Sequence, residues 1–141
     1  MALSQGTLEI QTSPKSFIDI TKQVQDCLNS TEVKNGVCLL FIKHTSASLV
    51  IQENYDISVR QDFETIFSKL APEDFPYVHN MEGKDDMPAH IRSALTSTSE
   101  SIPVADGELL FGTWQGIYIW EHRDQSHNRK IVVSIIGDHG V

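Results

Sequence analysis

Two apolar runs lie on either side of a short polar segment in the first half of the chain. The first run spans Val37 to Ile42 and the second spans Ala47 to Ile51. Both are rich in β-branched residues, which is typical of strands that are covered on both faces. The segment between them, Lys43-His44-Thr45-Ser46, has none of the residues that favour a simple turn. The pattern therefore predicts two buried strands whose connection lines a polar pocket, with a plain connection carrying a partly exposed His44 as the alternative.

Three further segments repeat apolar residues at the spacings of three and four that predict helices. They run from Asp19 to about Asn29, from Asp56 to Ala71, where Pro72 ends the helix, and from Asp86 through Leu95. His90 shares the apolar face of the third helix, so it is not expected to point simply to water. Asp62 borders the apolar face of the second helix, where a carboxylate either faces solvent or points inward to a partner.

The remaining regular segments predict strands, most of them in the last third of the chain. These are Thr7 to Gln11, Ser101 to Ala105, Glu108 to Phe111, Ile117 to Glu121 and Ile131 to Ile136. The Asp106-Gly107 pair between two of them is a strong signal for a hairpin turn. Helices that are separated from a strand-rich end favour an α+β fold. We predict one compact domain over residues 1–141, with mostly antiparallel sheets and about three helices.

The segment from Pro72 to Asp86 is irregular but is not a simple solvated loop. It combines proline, glycine and acidic residues with Phe75, Tyr77, Val78 and His79. Long loops within compact domains are more often functional than idle. We therefore expect this segment to fold over a site.

Composition and charge exclude several classes of partner. A length of 141 residues suits one domain. The net charge of −8 argues against nucleic acid as the main partner. No apolar stretch approaches the ~18 residues of a membrane span, and no signal-peptide pattern is visible. Cys27 and Cys38 have neither metal-ligand nor disulfide spacing. We expect reduced cysteines, no membrane partner and a cytoplasmic location.

Histidines and carboxylates supply the candidate chemistry. Three histidines do not lie in an obviously solvated context: His44, His79 and His90. Three carboxylates lie near strand or helix borders: Glu53, Asp62 and Glu121. Nitrogen and oxygen donors of this kind can form a metal site. Hydrogen-bonded histidines that bind an anion explain the same pattern. His122, His127 and His139 occur in or near turns, where we expect them to face solvent.

Three stretches carry a resemblance to a known family. They are HTSASLVIQEN from His44 to Asn54, the H-x10-H spacing of His79 and His90, and DGELLFGTWQGIYIWEHR from Asp106 to Arg123. The chain resembles the YjbQ family along nearly its whole length. The resemblance implies a compact α+β fold that assembles as a homotrimer, with pockets near the subunit boundaries.

The resemblance also implies an activity similar to that of a secondary thiamine-phosphate synthase. Such an enzyme joins a pyrimidine-methyl pyrophosphate to a thiazole phosphate and releases pyrophosphate, so its site needs a metal or cationic donors on the leaving group. We expect His44, Asp62 and Glu121 to be catalytic and His44, His79 and His90 to hold a divalent metal ion, zinc or magnesium, with no other cofactor. We expect a small phosphorylated metabolite to contact Lys43, Thr45, Ser46, Glu53, Asn54, Gln115 and Arg123.

Two alternatives remain open at this point. The same histidines could serve a metal-dependent hydrolase of a small phosphorylated metabolite, with Glu121 or Asp62 as the base. The chain could also be a non-catalytic trimeric module that binds a ligand. The carboxylates favour an active pocket, because buried carboxylates are costly without a ligand or partner.

Overall fold

Antiparallel strands form the framework of the chain, and three helices pack on it. The computed structural model describes residues 1–139. Its elements in chain order are β1 (Ala2–Gln11), β2 (Phe17–Asp19), α1 (Thr21–Asn29), β3 (Asn35–Ile42), β4 (Ala47–Glu53), α2 (Ser58–Leu70), α3 (Asp86–Leu95), β5 (Ser99–Ala105), β6 (Glu108–Leu109), β7 (Gln115–Glu121) and β8 (Asn128–Asp138). The predicted α+β fold is confirmed.

The strands form two sheets that share one core. The larger sheet has the order β1-β8-β3-β5-β6 and the smaller has the order β2-β7-β4, and the paired strands in both are antiparallel. Residues from both sheets and from α1 join in one buried apolar cluster, which includes Leu40, Ile131, Ile119 and Val24. The core therefore lies between the sheets, with α1 packed against it.

Strand β7 is buried on both faces, which explains its nearly continuous apolar sequence. Ile117 and Ile119 face the core cluster. Alternation along the strand turns Trp120 to the opposite face. There, the ring centroids of Phe17 and Phe67 lie 4.4 Å and 4.8 Å from that of Trp120. This aromatic layer holds α2 against the smaller sheet.

Local signals in the sequence fix several boundaries. The carboxylates of Asp19 and Asp56 accept the backbone N–H groups of Thr21 and Ser58, at 2.9 Å in each case, and so satisfy orphan donors where α1 and α2 begin. Asp106 and Gly107 both have positive φ, 52° and 76°, as a type I′ hairpin turn requires. The predicted hairpin is confirmed.

The sequence pattern differs from the structure at several strands, and β5, β7 and β8 each begin two or three residues earlier than predicted. Strand β1 begins at Ala2 rather than Thr7, because it pairs with β8 along its whole length. The three-residue β2 was not predicted, since it is defined by its pairing with β7. Strand β6 ends at Leu109 rather than Phe111. Within residues 1–139, no helix has the length and apolar character needed to cross a membrane.

Several strand ends meet at one end of the molecule. Ile42, the last residue of β3, pairs with Ile131 of β8, and Ala47, the first residue of β4, pairs with Glu121, the last of β7. The Lys43–Ser46 connection therefore lies beside the end of β7. The candidate site forms at this end, where α3 and the 71–85 loop also contribute.

Candidate metal-binding site

His79, Asp86 and His90 form a cluster with the geometry of a metal site. His79 comes from the 71–85 loop, whereas Asp86 and His90 lie one turn apart on α3, so their side chains share a face. Oδ2 of Asp86 lies 2.6 Å from Nε2 of His79 and 3.3 Å from Nε2 of His90. One ligand atom from each residue lies within 4.8 Å of the others. Two imidazole nitrogens and one carboxylate oxygen thus lie close enough together to hold one metal ion.

Asp86 is fixed and kept ionised by its surroundings. The residue is 3% exposed, and its Oδ1 accepts a hydrogen bond of 2.8 Å from Nη1 of Arg123. Burial opposes ionisation, but the hydrogen bond with His79 and the charges of His90 and Arg123 hold the pKa of Asp86 below its ordinary value. A carboxylate that remains charged and faces two imidazoles is a prepared metal ligand.

His90 is held in one tautomer by the polar connection. Its Nδ1 lies 3.1 Å from the backbone carbonyl oxygen of Thr45. A carbonyl oxygen only accepts, so Nδ1 carries the proton, and in the neutral ring Nε2 keeps its lone pair toward Asp86. Metal-ligating histidines characteristically donate their second ring N–H in this way. The connection between β3 and β4 therefore supports the cluster through a backbone atom.

The side chain of Arg123 makes hydrogen bonds around the cluster rather than pointing into a pocket. Its Nε donates to Oδ2 of Asp85 at 2.8 Å, and its Nη2 donates to the carbonyl oxygen of Glu82 at 2.9 Å. Together with the bond to Asp86, these contacts engage all three guanidinium nitrogens. The predicted phosphate-binding role of Arg123 does not fit this geometry, because its donors already join the loop to the start of α3.

His44 was predicted to be a metal ligand, but it is not part of the cluster that His79 and His90 form with Asp86. Its Nε2 accepts the backbone N–H of Lys130 at 2.8 Å. Burial, followed by the charge of Arg129, lowers the pKa of His44, so its ring is neutral and carries its proton on Nδ1. The ring lines a pocket instead.

That pocket lies next to the cluster and shares His90 with it. Its volume is about 550 Å³, and its walls include Phe41, Lys43, His44, Thr45, His90 and Ala94. A pocket is present at this connection as predicted, although Phe41, Ile42 and Ala94 make part of its lining apolar. Ser46 does not line it, and its hydroxyl oxygen accepts a hydrogen bond of 3.0 Å from Arg129.

Glu121 is part of a buried ion pair, and its predicted catalytic role does not fit this environment. The side chain is 0% exposed and pairs with Arg129, which is 4% exposed. Thr12 donates to Oε1 at 2.6 Å, and the backbone N–H of Arg123 donates to Oε2 at 3.1 Å. Burial opposes ionisation, but the hydrogen bonds from Arg129 and Thr12 lower the pKa of Glu121. Its oxygens are fully engaged in holding the end of β7.

Three other predicted contacts lie at the opposite end of the smaller sheet. Glu53 pairs with Gln115 where β4 ends and β7 begins, and Asn54 donates from its side chain to the carbonyl oxygen of Gln115 at 3.3 Å. Six residue steps of about 3.3 Å separate this end of the strands from Ala47 and Glu121, a distance of about 20 Å. Within one chain, these residues therefore do not share a site with His79 and His90.

Asp62 also lies apart from the cluster. It is exposed on α2 and makes no hydrogen bond or ion pair within the described part of the chain. The predicted catalytic role of Asp62 has no structural partner within a single chain, because the carboxylate points to solvent.

The sequence pattern indicated Asp86 only as the first residue of the third helix and missed it as a site residue. Its spacing of four residues from His90 was the available signal, since residues at this spacing share a helix face.

His122 was wrongly expected to face solvent. It is 1% exposed, and its Nε2 lies 2.9 Å from the hydroxyl oxygen of Ser48. Burial, followed by the charges of Arg92 and Arg129, lowers the pKa of His122 to about 3. Ser48 and His122 are both buried, so they form an interior contact rather than a nucleophilic pair.

The fold and the cluster define a class: a two-sheet α+β protein with a His₂Asp candidate metal site beside an open pocket. Comparison with known proteins identifies the family. The family described as "UPF0047 protein YjbQ-like" matches residues 6–138. The chain belongs to this family, and the predicted resemblance is confirmed.

Relatives match along almost their whole length. A UPF0047 protein from Synechocystis is 49% identical, with 95% of this chain and 92% of the relative covered. The YjbQ protein of Salmonella typhimurium is 42% identical, with 95% of this chain and 98% of the relative covered. A YjbQ/UPF0047 structure from Clostridium acetobutylicum has a TM-score of 0.85 at 37% identity, covering 92% of this chain and 98% of that one. A YbjQ-like protein of unknown function from Sulfolobus solfataricus has a TM-score of 0.85 at 27% identity, covering 97% of this chain and 100% of that one.

These comparisons correct the functional expectation. The thiamine-phosphate synthase activity rested on the family resemblance, but the family and its relatives are described only as UPF0047 or YjbQ proteins, and none of these descriptions supports that activity. The assignment as a thiamine-phosphate synthase-like transferase, with the hydrolase as its alternative, was therefore wrong. The function must be argued from the site itself.

Proposed function

We propose that this protein binds a divalent metal ion through His79, Asp86 and His90 and uses it to bind a small oxyanion. The observation that carries the proposal is the position of Oδ2 of Asp86 between two imidazole Nε2 atoms, at 2.6 Å and 3.3 Å. The proton on Nδ1 of His90 supports it, because it leaves Nε2 free to bind a metal.

The donor set favours zinc over magnesium. Imidazole nitrogen suits zinc and other late transition metals, whereas magnesium prefers oxygen ligands and retains several waters. A site with two histidines and one carboxylate provides three protein ligands, and such zinc sites keep a position open for water or a ligand oxygen. A phosphate group belongs to the class of oxyanions that such a position accepts.

Zinc titration of the purified, metal-free chain tests this proposal. Calorimetry is expected to show one zinc per chain, and His90→Ala is expected to weaken that binding at least tenfold because it removes one of three ligands. His139→Ala is the matched control, since this exposed histidine lies outside the cluster. A wild-type chain that binds no zinc, or a His90→Ala variant that binds it as tightly as wild type, would overturn the proposal.

We also propose that the chain assembles as a homotrimer. Helix α2 has no fully buried residue, and two of its apolar side chains one turn apart, Ile66 and Leu70, are 51% and 57% exposed. Asp62 precedes Ile66 by one turn, so a second copy packed on this stripe would also approach it. Light scattering is expected to give three times the 15.8 kDa mass of one chain. A mass of one chain at micromolar concentration would contradict the assembly.

A cytoplasmic location is part of the same proposal. Cys27 and Cys38 are both free thiols. Free cysteines in a protein of this size fit a reducing compartment.

A further inference from the structure

The lining of the pocket beside the cluster combines a cationic side chain with apolar surface. None of its lining residues is acidic, although the chain has 19 acidic residues and a net charge of −8. Lys43 lines the pocket and forms no ion pair within residues 1–139. His44 adds an N–H donor, because its Nε2 accepts a backbone hydrogen bond and the proton is therefore on Nδ1. An anion entering this pocket meets donors and no carboxylate among the lining residues.

Part of the pocket lining is apolar. It includes Phe41 of β3, whose side chain is 49% exposed, and Ala94 of α3. Inorganic phosphate alone would leave these surfaces in water. An apolar group attached to the anion would bury them, and burial of apolar surface is favourable.

His90 connects the pocket to the cluster. Its ring lines the pocket, and its Nε2 faces Asp86. We propose that the pocket binds the apolar part of a small organic oxyanion whose charged group occupies the open position of the metal. This inference rests on the proposed metal site, and it names the class of ligand that the site selects: an oxyanion with an apolar substituent rather than the free inorganic ion.

Two phosphonates that differ only in chain length test the inference. Zinc-loaded protein is titrated with methylphosphonate and with butylphosphonate in a calorimeter. Three additional methylene groups, about half buried in an open pocket, are expected to tighten binding about tenfold. Phe41→Ala is expected to remove most of this preference while zinc affinity stays unchanged.

Leu39→Ala is the matched control, because Leu39 lies two residues away on the same face of β3, is 39% exposed and does not line the pocket. Ala94→Gln is a second pocket variant on a different element, and it is also expected to reduce the preference. Equal affinities for the two phosphonates, no binding of either, or equal preference in wild type, Phe41→Ala and Ala94→Gln would overturn the inference. Absence of zinc binding in the first titration would instead overturn the proposed metal site.

Discussion

The buried ion pair of Glu121 and Arg129 gives the sharpest stability prediction. Arg129→Met removes the guanidinium and leaves the carboxylate of Glu121 without its cation in the interior. Glu121→Gln leaves Arg129 buried without its anion. We expect each single variant to be strongly destabilised, because each leaves one uncompensated charge.

The contacts of the pair set the magnitude of this effect. Nε of Arg129 donates to Oε1 of Glu121 at 2.7 Å, Nη2 of Arg129 donates to Oε2, and the two side chains are 4% and 0% exposed. Breaking a buried pair by removing one partner typically costs about 3–5 kcal/mol. Domains of ordinary stability have only about 5–15 kcal/mol in total. Each single variant therefore loses a large part of the free energy of unfolding.

Urea unfolding followed by circular dichroism measures this loss. With a slope of about 2 kcal/mol/M, a loss of about 4 kcal/mol lowers the midpoint by about 2 M. The double variant is expected to lose less than the sum of the two single variants, because no unpaired charge remains. Lys22→Met, which breaks an exposed pair with Asp26, is the control and should leave the midpoint unchanged. Single variants close to wild type, or strictly additive losses, would refute the reasoning.

Three further predictions concern Arg123, His122 and Gly36. Arg123→Gln is expected to weaken zinc binding about 10- to 100-fold, as loss of a group that orients a ligand does, whereas Arg60→Gln on α2 should leave calorimetric zinc affinity unchanged. Burial lowers the pKa of His122 to about 3, below the ordinary 6.5, so the unfolded chain takes up a proton that the folded chain does not. The free energy of unfolding should therefore fall as pH decreases from 6.5 toward 3, by up to about 1.4 kcal/mol per pH unit from this group, and His122→Gln should remove that slope in urea titrations. Gly36→Ala would press its Cβ into a backbone carbonyl oxygen of β8 and should cost at least about 2 kcal/mol, whereas Gly6→Ala, with nothing within 4 Å, should leave the urea midpoint near that of wild type.

Much of the fold was predictable because its signals are local. The apolar runs of β3 and β4, the helical spacing of α2 and the Asp106-Gly107 turn each act over a few residues, and each forms the predicted element. The prediction that β3 is covered on both faces was wrong, because Leu39 and Phe41 are 39% and 49% exposed. β2 escaped prediction because three residues carry no periodicity of their own. Its strand geometry comes from pairing with β7 about a hundred residues later.

The site was only partly predictable because its contacts join distant parts of the chain. His79 and His90 do meet, with ring centroids 5.4 Å apart. The sequence could not show that Arg129 and Thr12 converge on Glu121 and convert a candidate base into a buried ion pair. Gln115 was expected at the same site, but it begins the strand that Glu121 ends, so within one chain it lies at the opposite end of β7.

The location of bound zinc tests the central claim most directly. Crystals of the zinc-loaded chain, measured at the zinc absorption edge, will show where the ion lies. We predict one anomalous peak per chain, within bonding distance of Nε2 of His79, Nε2 of His90 and Oδ2 of Asp86. A peak at other residues, or no ordered zinc at this cluster at saturating concentration, would contradict it.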